Sequence, residues 1–208
     1  MLGVDGAGLS VLDAAFRVPL GTSGELASVA ERLQFTQGEG PCLDAARAQR
    51  VLVADAAQLD RRWPSYAAEL FARTPFRGIV TMPLSLAAST KGAVDLFVTD
   101  ERTLPAVTLA DAITVADAVA EELSDTAQTS HSIDQWSGES IPSWLTGPSA
   151  QQRRYIWIAA GIVVTRFDTT FEDALALLRS YAYGHGTDLD DLARSLVEGD
   201  LPVERLEV

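Results

Sequence analysis

The segment RRYIWIAAGIVVTR, residues 153–166, places ten consecutive apolar or glycine residues in an otherwise acidic chain. Ten residues are too few to span a bilayer, which needs about 20. A helix that is apolar on nearly every side must be surrounded by protein. We therefore expect a buried helix, with part of its surface left for a further contact. Gly161 in its middle predicts a close crossing with another backbone beside Ala159 and Ala160.

The composition favours a globular, cytoplasmic protein without membrane association. A chain of 208 residues with 47% hydrophobic content can build one large or two small cores. The net charge of -13 opposes non-specific attraction to nucleic acid or anionic lipid. One cysteine and two histidines form no metal-ligand pattern and no internal disulfide, and no secretory signal is visible.

Residues 1–124 alternate between strand-like and helix-like patterns. Strands are predicted at 8–13, 14–19, 51–55, 77–86 and 93–100, and helices at 22–35, from Pro41 and from Pro64. Thr22 and Glu25 have the spacing of a capping box. The expected fold class is α+β, with an antiparallel sheet flanked by helices.

A further helix is predicted from Thr108. Its apolar stripe has heptad spacing over about two heptads and consists of Leu109, Ile113, Ala116, Ala120 and Leu123. The stripe either covers the sheet or forms a dimer seam. Residues 125–149 lose this periodicity and are rich in Ser, Thr, Gly and Pro, which predicts a linker.

Three helices are predicted after the linker, in a C-terminal domain of residues 150–208. The first ends near Phe167, and the second begins at Thr169 and Glu172, which have capping-box spacing. Gly184 and Gly186 end the second helix. The third begins after Thr187 and ends at Gly199.

These three helices resemble the ANTAR domain, the RNA-binding output module of bacterial transcription antiterminators. The resemblance covers nearly all of residues 150–198. It is carried by Ile156, Ala159, Gly161, Ile162, Val163, Glu172, Ala174, Leu178, Arg179, Ala182, Leu189 and Ala193. It implies a three-helix bundle that binds RNA hairpins.

The first 124 residues resemble a GAF sensor domain of the kind joined to ANTAR in actinobacteria. GEGPCLDA (38–45), Asp55, RWPSYA (62–67), MPL (82–84) and GAVDLF (92–97) carry this resemblance. Fifteen arginines against a single lysine agree with a GC-rich genome. The pairing implies a sensor whose small-molecule effector controls antitermination through an RNA-binding output, as a homodimer.

The RNA-contact candidates are Arg179, Arg166, Arg154, Tyr183 and His185. Bases of a hairpin loop can stack on aromatic and guanidinium planes, and the family resemblance singles out Arg179 among the five. The family commonly has a lysine where this chain has Ala160. Residues 149–208 contain six arginines and ten acidic residues, a net charge of -4. A second hypothesis is therefore a dimeric protein-interaction regulator whose ANTAR-like domain has lost RNA binding.

Cys42, Trp63 and Tyr66 are the candidates for lining a ligand site in the GAF-like domain. The thiol of Cys42, near a helix N-terminus, is either a redox sensor of lowered pKa or a buried structural group. Trp63 and Tyr66 are three residues apart and could share a helix face, in the core or in a ligand cage. The effector is unknown, and haem held by histidine is disfavoured because residues 1–124 contain no histidine.

No catalytic residues are predicted. Asp13, Asp55 and Asp95 end or interrupt strands and form no recognisable acid/base pair with a nucleophile. A nucleophile elbow, a phosphate-binding loop and an HExxH segment are all absent from the sequence. One cysteine could not recycle the sulfur chemistry by which some GAF domains reduce methionine sulfoxide. The chain is expected not to be an enzyme.

Overall fold

The computed structural model describes residues 3–13, 16–85, 91–106, 109–129, 131–133, 140–142 and 148–206. Most of the predicted turn at 87–92 and of the predicted linker lies outside these ranges. The chain divides into two compact units, residues 1–147 and 148–208. The fold class is mixed α+β, since the first unit contains a sheet and helices and the second is helical.

A five-stranded antiparallel sheet forms the centre of the first unit. Its strands are β1 (Gly6–Asp13), β2 (Phe16–Thr22), β3 (Leu52–Asp55), β4 (Gly78–Ser85) and β5 (Lys91–Val98). Their order across the sheet is β2-β1-β5-β4-β3. Thr81 of β4 and Gly8 of β1 both lie directly opposite Asp95 of β5. The sequence therefore predicts the five strands correctly, with small shifts at their ends.

Alternate residues of β4 and β5 face two different cores, as the two-residue period of a strand requires. Ile79 and Phe97 pack with α1 (Glu25–Gln37), α2 (Pro41–Ala48), α3 (Ala56–Arg62) and α4 (Pro64–Arg73). On the opposite face, Val80 and Leu96 pack with a 3-10 helix (Glu101–Ala106) and α5 (Leu109–Thr129). The first face also carries the buried polar residues Thr81 and Asp95.

Local signals explain where most of these helices begin and end, with one correction. Pro41 and Pro64 are the first residues of α2 and α4, as predicted. α3 was not predicted, and Asp55 and Gln58 form its reciprocal capping box. The predicted box at Thr22 and Glu25 is wrong. Thr22 is the last residue of β2, and α1 begins after Gly24 without a side-chain cap.

The apolar stripe of α5 covers the sheet. Ala112 and Ala116 are buried in the second core, and Ala120 and Leu123 pack against it. Ile113 is 47% exposed. The helix continues to Thr129, four residues beyond the start of the predicted linker. Two short paired strands follow, β6 (His131–Ile133) and β7 (Ser140–Pro142).

The second unit is a bundle of α6 (Pro148–Phe167), α7 (Phe171–His185) and α8 (Leu189–Glu198), in which each helix contacts the other two. Its core contains the landmarks Ile156, Ala159, Val163, Ala174, Leu178, Ala182, Leu189 and Ala193. Two backbone positions of positive φ, Gly186 and Gly199, end α7 and α8 as predicted.

Two predictions about this bundle are wrong. The N-cap of α7 is Thr170, whose hydroxyl accepts from the Asp173 amide, and not Thr169. Gly161 does not mark a close helix crossing, because it is exposed and a Cβ there would meet no atom within 4 Å. The neighbouring Ala159 and Ala160 are fully buried.

Candidate functional site

The three residues predicted to line a ligand site in the first unit are all buried. Cys42 is the second residue of α2, Trp63 separates α3 from α4, and Tyr66 lies in the first turn of α4. Trp63 and Tyr66 belong to one apolar cluster, and the Trp63 indole nitrogen donates to Asp44 at 3.1 Å. The aromatic pair is thus part of the hydrophobic core, and its contact with a ligand stays a prediction.

The thiol of Cys42 is a structural group. It is fully buried and lies 3.5 Å from the Ser10 hydroxyl. Burial raises the pKa of this thiol, Arg17 opposes the rise, and Asp95 and Glu31 add to it, so that the pKa lies at about 12. The alternative of a redox thiol with a lowered pKa is therefore wrong, because the reactive thiolate is scarce at neutral pH.

A buried group of charged side chains lies on the same face of the sheet, and we call Arg17, Glu31 and Asp95 the charged triad. None of the three is more than 2% exposed. Arg17 extends from β2 and forms an ion pair with Glu31 of α1, and it lies 3.9 Å from Asp95 of β5. Charges are almost never fully buried unless they are paired, so such a triad needs a physical or functional reason.

Hydrogen bonds connect the charged triad to both neighbouring helices. The Asp95 carboxylate accepts from the Thr81 hydroxyl and the Gln34 amide, each at 2.6 Å. The side-chain oxygen of Gln34, Oε1, in turn accepts a hydrogen bond from the backbone amide of Cys42 at 2.8 Å. Asp95 therefore holds the end of α1, and through Gln34 the start of α2, against the sheet.

The sequence alone does not predict the charged triad. It shows Asp95 only as a residue that interrupts a strand, and it does not distinguish Arg17 and Glu31 from other charged residues. One signal for Asp95 is present in the strand pattern. Thr81 and Asp95 are paired across β4 and β5, and each is two residues from a buried apolar residue, Ile79 or Phe97. Residues two apart in a strand share a face, so all four side chains point to the same core. The sequence contains no comparable signal for Glu31 on α1, because its contact with Arg17 depends on how the helix packs on the sheet.

In the second unit, three of the predicted RNA contacts lie in the last two turns of α7. Tyr183 is 70% exposed, and Arg179, four residues earlier, is half-buried on the same side of the helix. The His185 ring stacks on Tyr181, with centroids 3.9 Å apart and 16° between the planes. The His185 Nδ1 atom lies 2.9 Å from the Tyr181 carbonyl oxygen, so a protonated Nδ1 would donate to it. We call Arg179, Tyr181, Tyr183 and His185 the α7 end.

The other two predicted RNA contacts lie on α6 and are far from each other. Arg154 is half-buried, whereas Arg166 is exposed near the end of the helix. Twelve residues of helix separate them by about 18 Å. Arg166 donates to Glu204 at 3.0 Å and covers the Phe167 ring at 5.4 Å. The structure therefore does not combine Arg154 and Arg166 in one local cluster.

Within the described part of the chain, no group of three or more His, Cys, Asp or Glu residues is arranged to hold a metal ion. None of the described helices is both long enough and apolar enough to cross a bilayer.

Neither a protein-family model nor a curated protein sequence matches this chain. Among solved structures, it is similar to the GAF domain of a two-component sensor histidine kinase from Bacillus halodurans, with a TM-score of 0.42 and 8% identity. That match covers 62% of this chain and 84% of the other. An RNA-binding light-oxygen-voltage receptor is similar with a TM-score of 0.25 and 18% identity, over 96% of this chain and 50% of the receptor. Such distant likenesses carry no functional argument.

Proposed function

We propose that this protein is a cytoplasmic, signal-responsive transcriptional regulator. In this proposal, a GAF-like sensor controls an ANTAR-like unit that binds RNA hairpins and so permits antitermination. The protein acts as a homodimer, takes a small-molecule effector and is not an enzyme. The sequence resemblance supplies these roles.

The apolar landmarks of the resemblance support an ANTAR-like unit. Eight of them are buried in the three-helix core, on α6, α7 and α8. A core alone would be retained by a helical unit of any function, so it supports the fold more than the activity. The activity depends on the surface residues that the same pattern leaves outside the core.

The α7 end is the observation that carries the RNA-binding proposal. The Tyr183 ring is 70% exposed, and the rings of Tyr181 and His185 stack on each other. The Arg179 guanidinium lies one helical turn before Tyr183. Unpaired bases of RNA loops are recognised by stacking on such planes. A single exposed aromatic ring is common on protein surfaces, so the proposal depends on the combination of these planar groups at one end of the helix.

The polar face of the sheet supports the sensor role of the first unit. The charged triad and the buried Tyr66 hydroxyl lie where a two-layer domain would otherwise be apolar. Tyr66 Oη has no hydrogen-bond partner among the described residues, and a buried hydroxyl without a partner costs about 1–3 kcal/mol. A small polar effector that bonds to this hydroxyl would recover that free energy.

Fluorescence anisotropy with labelled RNAs tests the proposal. The RNAs contain paired short hairpins, and an unstructured RNA of equal length serves as the reference. We expect saturable binding that is specific for hairpins and weakens as salt increases, because phosphate contacts release counterions. Tyr183→Ala should lower the affinity about 5- to 150-fold, the range expected for the loss of one base stack.

The matched control is Ser180→Ala, a neutral change at an exposed position of the same helix. It should leave the affinity unchanged. Arg179→Lys keeps the charge but removes the planar guanidinium, so it separates stacking from simple electrostatics. Equal affinity for hairpin and unstructured RNA, or no response to Tyr183→Ala, would contradict RNA-hairpin recognition at the α7 end.

A protein-interaction regulator is the second candidate, and the charge of the second unit favours it. Arg166 forms an ion pair with Glu204 at 3.0 Å and Arg153 forms one with Asp190 at 3.5 Å, both within this unit. To contact an RNA phosphate, each of these two guanidinium groups would have to give up its present carboxylate partner. A stable dimer on sizing combined with no RNA affinity at low salt would favour this candidate.

A further inference from the structure

The carboxyl groups of Glu31 and Asp95 are neighbours. Asp95 lies directly opposite Gly8 in the sheet register. The Glu31 carboxyl lies over Gly8, closely enough that a Cβ at position 8 would overlap it. The same Arg17 Nη2 atom forms the ion pair with Glu31 and lies 3.9 Å from Asp95 Oδ2, so both carboxyl groups lie against one guanidinium nitrogen. Two adjacent carboxyl groups in one buried site cannot both ionise at little cost.

The groups that face this pair do not balance two negative charges. Arg17 faces it from β2, Cys42 from α2 and Tyr66 from α4, and all three are buried. Ser10 of β1 and Thr81 of β4 add neutral hydroxyls. Among the described residues around the pair, Arg17 is the single cation. With both carboxyl groups ionised, the buried site would carry a net charge of -1.

One carboxyl oxygen of the pair can carry a proton without the loss of an existing hydrogen bond. The Asp95 oxygens each accept one bond, from Thr81 and Gln34, and a carboxylate can accept more. Arg17 donates to the Glu31 backbone oxygen at 2.7 Å and to Oε2. Glu31 Oε1 is buried and accepts from no donor among the described residues. A proton on Oε1 would turn this unpaired acceptor into a donor toward Asp95.

We propose that Glu31 and Asp95 form a proton-binding site in the first unit, and that its occupancy determines how firmly α1 and α2 are attached to the sheet. This inference goes beyond the proposed function and does not depend on RNA binding. Loss of the proton leaves two adjacent negative charges between α1 and β5. Because Gln34 connects Asp95 to the Cys42 amide, the repulsion is transmitted to the start of α2.

The electrostatics of Glu31 agree with this geometry. Burial raises the pKa of Glu31, Arg17 opposes this rise and Asp95 adds to it, so that the pKa lies at about 8. The ordinary pKa of an unfolded glutamate is about 4.3. The folded state thus holds the proton more tightly, and its advantage is complete below about pH 4 and is lost as the pH rises toward 8.

Equilibrium unfolding by urea between pH 5 and 9 tests the site in the full chain. We compare the native protein with Glu31→Gln, in which an amide mimics the protonated carboxyl and can donate to Asp95. The folding equilibrium constant of the native protein should fall by up to about tenfold per pH unit as the pH rises to 8. In Glu31→Gln, this part of the pH dependence should disappear.

Glu25→Gln is the control, since it removes an exposed carboxyl from the same helix and should leave the pH dependence unchanged. Identical pH dependence in the native protein and Glu31→Gln would overturn the inference.

Infrared spectroscopy gives a test that does not require the variant to fold. The native protein should show the carbonyl band of a protonated carboxyl at pH 6, and the band should vanish by pH 9 to 10. Absence of the band at pH 6 would also overturn the proposed proton site.

Discussion

Two glycines of this protein have opposite physical roles, although the sequence shows both simply as glycine within a secondary structure element. Gly8 in β1 makes room for the Glu31 carboxyl, which occupies the space that a side chain would need. Gly161 in α6 faces open space and has no such function in the described structure. A glycine inside a helix costs about 0.5–1 kcal/mol relative to alanine, chiefly through the entropy of the unfolded chain.

Alanine substitution should therefore change stability in opposite directions at these two positions. Gly161→Ala should increase the free energy of unfolding by about 0.5–1 kcal/mol, because it adds helix propensity without a clash. Gly8→Ala should decrease it by about 1–3 kcal/mol, because the new methyl group must displace the Glu31 carboxyl. Urea denaturation measures both values. A destabilised Gly161→Ala variant would indicate a contact at this face that the free chain does not show.

At the scale of elements, local signals predicted most helices and strands but not the precise caps or the buried charges. Pro41, Pro64, Gly186 and Gly199 act through their own backbone, so their positions mark helix ends directly. Thr169 and Thr170 are both suitable N-caps by residue type, so the sequence alone does not choose between them. The charged triad joins β2, α1 and β5, which are distant in sequence, so only the folded chain reveals it.

The cap of α7 can be tested by a pair of adjacent substitutions. Thr170→Ala removes the hydroxyl that accepts from the Asp173 amide at 3.1 Å, and should cost about 1 kcal/mol of unfolding free energy. Thr169→Ala is the matched control and should cost clearly less, because its hydroxyl is not the cap. Thermal unfolding followed by circular dichroism measures both variants. A larger loss in Thr169→Ala than in Thr170→Ala would move the start of the helix to the position that the sequence predicted.

At the scale of the whole molecule, the net charge of -13 opposes the proposed partner, since RNA is itself an anion. The second unit shares this property, with ten acidic residues and six arginines between 149 and 208. Stacking at the α7 end would then contribute more to binding than phosphate contacts do. A small number of phosphate contacts implies that affinity depends on salt less steeply than it does for a basic RNA-binding protein.

Residues 148–208 form a compact unit with its own core of helices that contact one another, so this unit can be studied as a separate fragment. We expect this fragment to fold, although a domain of about 60 residues is marginally stable. Since the α7 end lies wholly within it, the fragment should bind RNA hairpins and should lose affinity on Tyr183→Ala as the full chain does. Circular dichroism establishes folding, and anisotropy over a salt series gives the affinity and its slope. A folded fragment that binds no RNA, beside a full chain that does, would show that the α7 end is insufficient and that the first unit or dimer formation supplies necessary contacts.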